Sequence, residues 1–236
     1  MLKDGIMIDI RNVTKTYGIG GQTVKAVDKV SFAMGTGEIV SIIGHSGSGK
    51  TTLLSLVGGL TKPDSGSVVI DGKDIWSMDD DSLSELRNRK ISFIFQFSSL
   101  VPTLTALENI MLPTTFGNYG KDVEGYAREL LGLVGLADKA DSYPSQLSGG
   151  QQRRVAVARA FINRPEVVLA DEPTGDLDEE TEREVIELFK RMNRERKTAF
   201  LLVTHSSELA GQAGRQLRMS SGSVLPFINT VSHRER

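Results

Sequence analysis

"GHSGSGKTT", Gly44 to Thr52, follows the apolar run Ile39 to Ile43 and offers almost no side chain that could build a core. Gly44 to Thr51 fits the spacing G-x-x-x-x-G-K-[ST], with a strand-like run before it and a helix-like segment, Thr51 to Leu60, after it. The composition follows from a loop that binds phosphate through its backbone. Glycines let successive N–H groups turn inward as an anion-binding nest, and the next helix adds the partial positive charge of its N-terminus. Gly44, Ser46, Gly47, Ser48, Gly49, Lys50, Thr51 and Thr52 are therefore candidate nucleotide-binding residues. Lys50 would reach the β- and γ-phosphates as a point charge, and the Thr51 hydroxyl would be offered to Mg²⁺. His45 has no required role, because the loop works through main-chain groups; a solvent-facing or packing histidine is expected there.

Outward from the loop the chain alternates strands and helices. Ile6, Ile8 and Ile10 recur at every second residue, Val24 to Phe32 is rich in β-formers, and Ser67 to Asp71 reads as a short strand after the turn "TKPDSG" (61–66). Ile91 to Phe95, Val167 to Ala170 and Ala199 to Thr204 are apolar runs of the kind buried on both faces. Residues 97–163 read as helices and loops, with Tyr126, Leu130 and Val134 on one helical face and Val155, Ala158 and Ile162 on another. Val185, Leu188, Phe189 and Met192 mark a further helix between strands. The acidic triplet 79–81 sits where a helix N-terminus favours negative charge, so capping is expected and not a metal site. The pattern predicts a parallel α/β sheet with a helical insertion.

Composition narrows the partners. The 236 residues carry a formal charge of −2 and no cysteine, which gives no pull toward nucleic acid and excludes disulfides and thiolate metal sites. The opening MLKDGIMIDI has charges where an export signal needs an apolar stretch, and no run approaches the ~20 residues of a membrane span. A soluble chain is expected, working at a membrane only through a partner.

Downstream residues choose among phosphate-loop classes. "VVLADE" (167–172) is an apolar strand ending in two carboxylates, Asp171 placed to hold Mg²⁺ and Glu172 to orient and polarise an attacking water. "LSGGQQRRVAVARA" (147–160) lets Ser148 cap a helix that begins at two glycines, which makes a second anion site of exposed N–H groups. A kinase or GTPase reading leaves that second site unexplained.

With these motifs in order from about Ile6 to Leu225, the chain resembles the ATP-binding cassette (ABC) ATPases, whose signature is LSGGQ. The resemblance implies a P-loop NTPase of the ABC ATPase fold: a RecA-like parallel-sheet core, an N-terminal antiparallel β subdomain and an inserted α-helical subdomain. It divides a single domain into about 1–96 and 164–225 for core and β subdomain, 97–163 for the helical subdomain with the signature, and a frayed tail at 226–236. It implies ATP and Mg²⁺ as ligands and an ATPase activity. Tyr17 matches the aromatic that stacks on adenine, although an edge-strand tyrosine would look the same. Gln96 matches the glutamine that senses Mg²⁺ and the γ-phosphate, Asp178 the D-loop aspartate, and His205 the switch histidine at the γ-phosphate. The expected catalytic set is Glu172, His205, Lys50 and Gln96, and the expected metal set Thr51, Gln96 and Asp171.

The family implies two chains sandwiching two ATP molecules, so that Ser148, Gly149, Gly150 and Gln151 would grip ATP held by a second copy. Three departures stand out: His45 for a common proline, Asp176 for Asn or Ala in the D-loop, and Ser206 where Asp usually follows the switch histidine. The stretches "FQFSSLVPTLTALENIMLP" and "GDLDEETEREVIELFKRMNRE" look closest to the branch of lipoprotein-releasing, macrolide-export and cell-division ATPases. That branch implies an integral membrane permease with few spans and a large extracytoplasmic domain, docked on the cytoplasmic face, with no nucleic acid. Leu100, Val101, Leu104 and Leu107 are candidates for the groove that receives it. A soluble ABC ATPase not coupled to transport is the alternative; it lacks support from a tandem cassette, a coiled-coil insertion or a basic surplus.

Overall fold

The computed structural model describes residues 5–117, 119–120, 122–175 and 177–226, without the side chains of Ile6, Ile19 and Pro226. Asp176 and the tail 227–236, both singled out by sequence, lie outside the described residues. The chain opens with β1 (Ile6–Ile19), β2 (Gln22–Gly35) and β3 (Ile39–Ile43), then α1 (Lys50–Val57). Next come β4 (Ser65–Ile70), β5 (Lys73–Asp74), α2 (Asp80–Lys90) and β6 (Ile91–Ile94). Three helices, α3 (Ala106–Met111), α4 (Val123–Leu133) and α5 (Gly149–Arg159), precede β7 (Val167–Asp171) and α6 (Glu179–Arg196). The described chain closes with β8 (Ala199–Val203), α7 (Ser207–Gly211), β9 (Arg215–Ser220) and β10 (Ser223–Pro226).

Among the described residues these strands make two sheets. One is antiparallel, in the order β2-β1-β4-β5. The other runs β10-β9-β3-β8-β7-β6, parallel throughout except where β10 returns against β9. Every residue of β7 and β8 is buried, as their unbroken apolar runs require for strands covered on both faces. Side chains alternate between two cores. Leu201 and Val203 face α1 and the inner side of the antiparallel sheet, packing with Leu53, Leu56, Ile8 and Val68. Phe200 and Leu202 face α6 and the helical region, where Phe161, Phe189 and Phe200 cluster with ring centroids 5.0–6.2 Å apart.

Two features differ from the sequence reading for identifiable reasons. The helix after the loop ends at Val57 and not at Leu60, because Gly58 caps it and Gly59 takes φ 71°, a left-handed turn that ends a helix cheaply only at glycine. The hairpin β9–β10 has no strong signal in the sequence: only Leu217 and Met219 are buried in β9, and polar residues fill the positions between them. The acidic triplet does cap, since Asp79 accepts from Ser82 N at 2.7 Å, and that bond holds its carboxyl below the usual carboxylate range.

Gly58 offers a test of packing on the α1 side. A Cβ there would sit 1.9 Å from the Phe93 ring and 2.7 Å from Leu169 Cδ1. Gly58→Ala is expected to destabilise the chain by about 1–3 kcal/mol through overpacking, read as a lower urea midpoint at unchanged slope. An unchanged midpoint would show that Phe93 yields freely.

Candidate active site

Strand register decides what meets at the carboxyl edge of the parallel sheet, where open α/β sheets place their sites. Ile42 pairs with Val203, and Val203 pairs with Asp171, so three strands end level. Two residues beyond Ile42 the phosphate loop begins, Asp171 is followed by Glu172, and two residues beyond Val203 stands His205. Ile94 pairs with Ala170 in the neighbouring row, which brings Gln96 to the same edge.

The loop is shaped by close backbone approach. A Cβ at Gly44 would lie 2.3 Å from the Met219 carbonyl oxygen, and one at Gly49, where φ is 105°, would lie 1.9 Å from that of Ala26. Neither position admits a side chain. Lys50 is 7% exposed, and its Nζ donates to the carbonyls of Gly44 at 2.8 Å and His45 at 3.0 Å, so the cation is folded into its own loop. His45, Ser46 and Gly47 are exposed at the loop tip and Thr52 is half-buried on α1. Tyr17 sits on β1 opposite Val24, partly exposed, with Lys15 Nζ 5.7 Å from its ring centre. Ala26, which backs Gly49, is two residues along β2 from Val24, so the hairpin bearing Tyr17 adjoins the loop.

Thr51 Oγ1 donates to Asp171 Oδ2 at 2.6 Å across the sheet edge. A hydroxyl and one carboxylate, with substrate phosphates supplying further oxygens, is a donor set that suits Mg²⁺. Among the described residues there is no group of three or more His, Cys, Asp or Glu able to hold an ion by themselves, and Mg²⁺ does not demand one.

Glu172 has φ 47°, a left-handed conformation uncommon outside glycine. Its backbone N–H donates to Val203 O at 2.8 Å, while its side chain turns to the switch loop. There Oε2 accepts from His205 N at 3.1 Å, and Oε1 lies 3.3 Å from His205 Nε2 without making a hydrogen bond. The carboxylate is mostly buried and the imidazole mostly exposed, so Glu172 is held from one side and His205 faces outward.

Ser148 caps α5: its Oγ accepts from Gln151 N at 3.2 Å and its N–H donates to Gln151 Oε1 at 2.9 Å. The N–H of Gln151 is thus engaged inside the chain, which differs from its expected use as an anion donor. Ser148 and Gly149 are exposed at this helix end, and Gly150 lies against Leu177 of the D-loop. Asp178 caps α6, accepting from Thr181 N at 3.0 Å and Thr181 Oγ1 at 2.9 Å; the backbone bond holds its carboxyl below the usual range.

Two residues with central positions are not singled out by sequence. Arg153, 5% exposed on α5, donates through Nε to Pro173 O at 3.1 Å and through its terminal nitrogens to the carbonyls of Phe95, Gln96 and Glu172. One guanidinium thereby joins the signature helix, the Gln96 loop and the glutamate. Its signal is its line with Val157 one turn on, fully buried, which marks an arginine on an inward face. Glu182, in the first turn of α6, lies in line with buried Val185 and Ile186 and accepts from two neighbouring loops.

A groove of about 870 Å³ opens beside the edge strand β6, lined by Phe93, Phe95, Leu112, Pro113, Phe116 and Arg159 among others. It is not lined by the four residues proposed from sequence. Leu107 is buried in the helical core and Leu100 packs against it.

Comparison with known proteins identifies the family and the fold. The ABC transporter family model matches residues 27–175. The lipoprotein-releasing system ATP-binding protein LolD of Bordetella avium is 47% identical over 216 residues, 91% of this chain and 94% of that protein. LolD of Bordetella pertussis is 44% identical over 223 residues, 94% and 96% of the two chains. Among solved structures, the ATP-binding cassette MJ0796 as a dimer in a post-hydrolysis state bound to ADP and Pi superposes with TM-score 0.87 at 42% identity, covering 92% of this chain and 96% of the other. A second dimeric structure of MJ0796, a bacterial ABC transporter cassette, superposes with TM-score 0.88 at 43% identity over the same shares.

Proposed function

We propose a working cycle for this chain from one premise: it belongs to the ABC transporter family, as an ATP-hydrolysing subunit that powers a separate permease. The observation that carries the cycle is the meeting of Lys50, Thr51, Asp171, Glu172 and His205 at one sheet edge, with a second capped helix end at Ser148 on a different element.

ATP seats its phosphates in the loop 44–51, with Tyr17 against adenine, and Lys50 exchanges the Gly44 and His45 carbonyls for phosphate oxygens. Thr51 and Asp171, with Gln96 beside them, are the residues that would hold Mg²⁺, and the ion would supply stabilisation of the charge that develops on the transferring phosphate. Glu172 orients the attacking water and takes up its proton, and His205 donates to the γ-phosphate from the outer side. In-line displacement then needs little beyond positioning and charge complementarity. Two copies close head to tail, so that Ser148, Gly149 and Gly150 of one reach the γ-phosphate in the other. Asp178 positions the D-loop at that junction. Dimeric relatives support this arrangement.

In the same reading 97–163 is the helical subdomain and 1–96 with 164–225 form the remainder. No helix among the described residues is long and apolar enough to cross a membrane, so coupling runs through a contact surface. The exposed rings of Phe95 and Phe116 make the groove at β6 that surface, and the partner is a permease with few spans and a large extracytoplasmic domain, engaged from the cytoplasmic side. Similarity to LolD makes lipoprotein the cargo class of the assembly.

A mixing experiment tests the shared sites. Lys50→Ala disables one half of each site and Gly149→Glu the other. Each variant alone is inactive, but a mixed dimer holds one intact composite site. An equimolar mixture is expected to recover about a quarter of wild-type turnover by random pairing. No recovery, with mixed dimers shown to form, would place both halves of each site in one chain.

A further inference from the structure

We propose that Glu182 is a positioning residue that locks the switch-histidine loop to the turn behind Glu172, and that Ser206 is built to serve it. Glu182 Oε1 accepts two hydroxyl protons, from Thr174 at 2.9 Å and from Ser206 at 2.6 Å. The donors come from different loops. Thr174 is 5% exposed, in the turn where Gly175 N donates to Glu172 O at 3.1 Å and Leu177 N to Thr174 O at 3.2 Å. Ser206 directly follows His205, whose own N–H is held by Glu172.

The direction of the bonds is fixed. Leu209 N donates to Ser206 Oγ at 3.1 Å, so that hydroxyl's proton is committed to Glu182. Ser206 N donates to Thr204 Oγ1 at 3.0 Å, leaving the loop little freedom. The result is a closed circuit: Glu172 holds His205 from the front, and Glu182 ties the same loop to the turn leading to Asp178 from behind. A movement of His205 toward a γ-phosphate is thereby carried to Thr174 and the turn it belongs to. Bonds of this kind to a carboxylate are among the stronger ones in a fold.

The pairing has a specific electrostatic consequence. Ser206→Asp would set a second carboxylate against Glu182, remove the donor and push the loops apart. With Glu182 gone, the longer carboxylate introduced by that substitution can itself accept from Thr174 and still cap α7. The two positions are thus expected to show reciprocal rescue, which a mere stability defect would not produce.

The test is a double-mutant cycle on the full chain, measuring kcat, KM for ATP and thermal midpoint. Glu182→Ala and Ser206→Asp are each expected to lower kcat about tenfold with KM changed less than about twofold. The double variant is expected to return to within about threefold of wild type. Losses that multiply in the double variant would overturn the proposal. Should Glu182→Ala fail to fold, Glu182→Gln replaces it: it keeps an acceptor but no charge, so it should relieve Ser206→Asp, and absence of relief overturns the proposal equally. The inference rests on reading Glu172 and His205 as the hydrolytic pair. Glu172→Gln is run beside the cycle: normal turnover in that variant defeats the underlying reading, whereas multiplying losses with Glu172→Gln inactive defeat only the role of Glu182.

Discussion

Replacing Glu172 with glutamine is expected to cut ATP turnover by about 10²–10⁴-fold, the usual contribution of a positioned general base. Nucleotide binding should survive. The amide has nearly the same shape, and its oxygen can still accept from His205 N, where Glu172 Oε2 now lies 3.1 Å away. What disappears is the capacity to take a proton from water. Loss of a negative charge near the γ-phosphate also removes repulsion, so ATP affinity should hold or rise. Binding without turnover should trap the closed dimer, visible as a doubling of mass on a sizing column only when ATP is present. Phosphate release measured beside nucleotide affinity separates the two effects; turnover within about threefold of wild type would exclude Glu172 as the base.

The complementary failure belongs to Lys50. Lys50→Ala should lower ATP affinity by about 10²–10³-fold, because it removes charge-assisted bonds to phosphate that the backbone nest cannot replace. Folding should change little. The carbonyls of Gly44 and His45, which now accept from Nζ, belong to a loop whose tip is exposed and can be hydrated. Titration calorimetry and a thermal midpoint distinguish the outcomes: weak binding with an unshifted midpoint supports the assignment, and unaltered affinity rejects it.

Residues that act through their own backbone or at a strand end can be read directly from the sequence. The phosphate loop has a composition that no core would tolerate. β7 up to Ala170 and the whole of β8 are apolar because both faces are covered, and register then delivers Asp171, Glu172 and His205 to one edge. The capping role of Ser148 is equally visible, since it is local; that Gln151 turns its N–H inward is not. Arg153 and Glu182 escape because their partners lie in other loops and, for Arg153, are main-chain carbonyls that leave no trace in residue identity. The edge hairpin β9–β10 escapes because only one side of it is buried, and few apolar residues mark it. Burial is as hard to read from composition: Leu107 is as hydrophobic as a surface contact residue would be, yet it fills the space between helices, while the rings of Phe95 and Phe116 stay exposed.

Arg153 has a consequence for how such a chain can change over generations. The carbonyls it grips at Phe95, Gln96, Glu172 and Pro173 exist whatever side chains those positions carry. Residues around the groove can therefore drift without loosening the brace behind the glutamate. The constraint is concentrated on one residue, and lysine cannot inherit it, because a single ammonium lacks the planar fork needed to serve acceptors on two loops at once. On the docking surface proposed above, partner choice is then free to diversify while the hydrolytic centre is inherited intact.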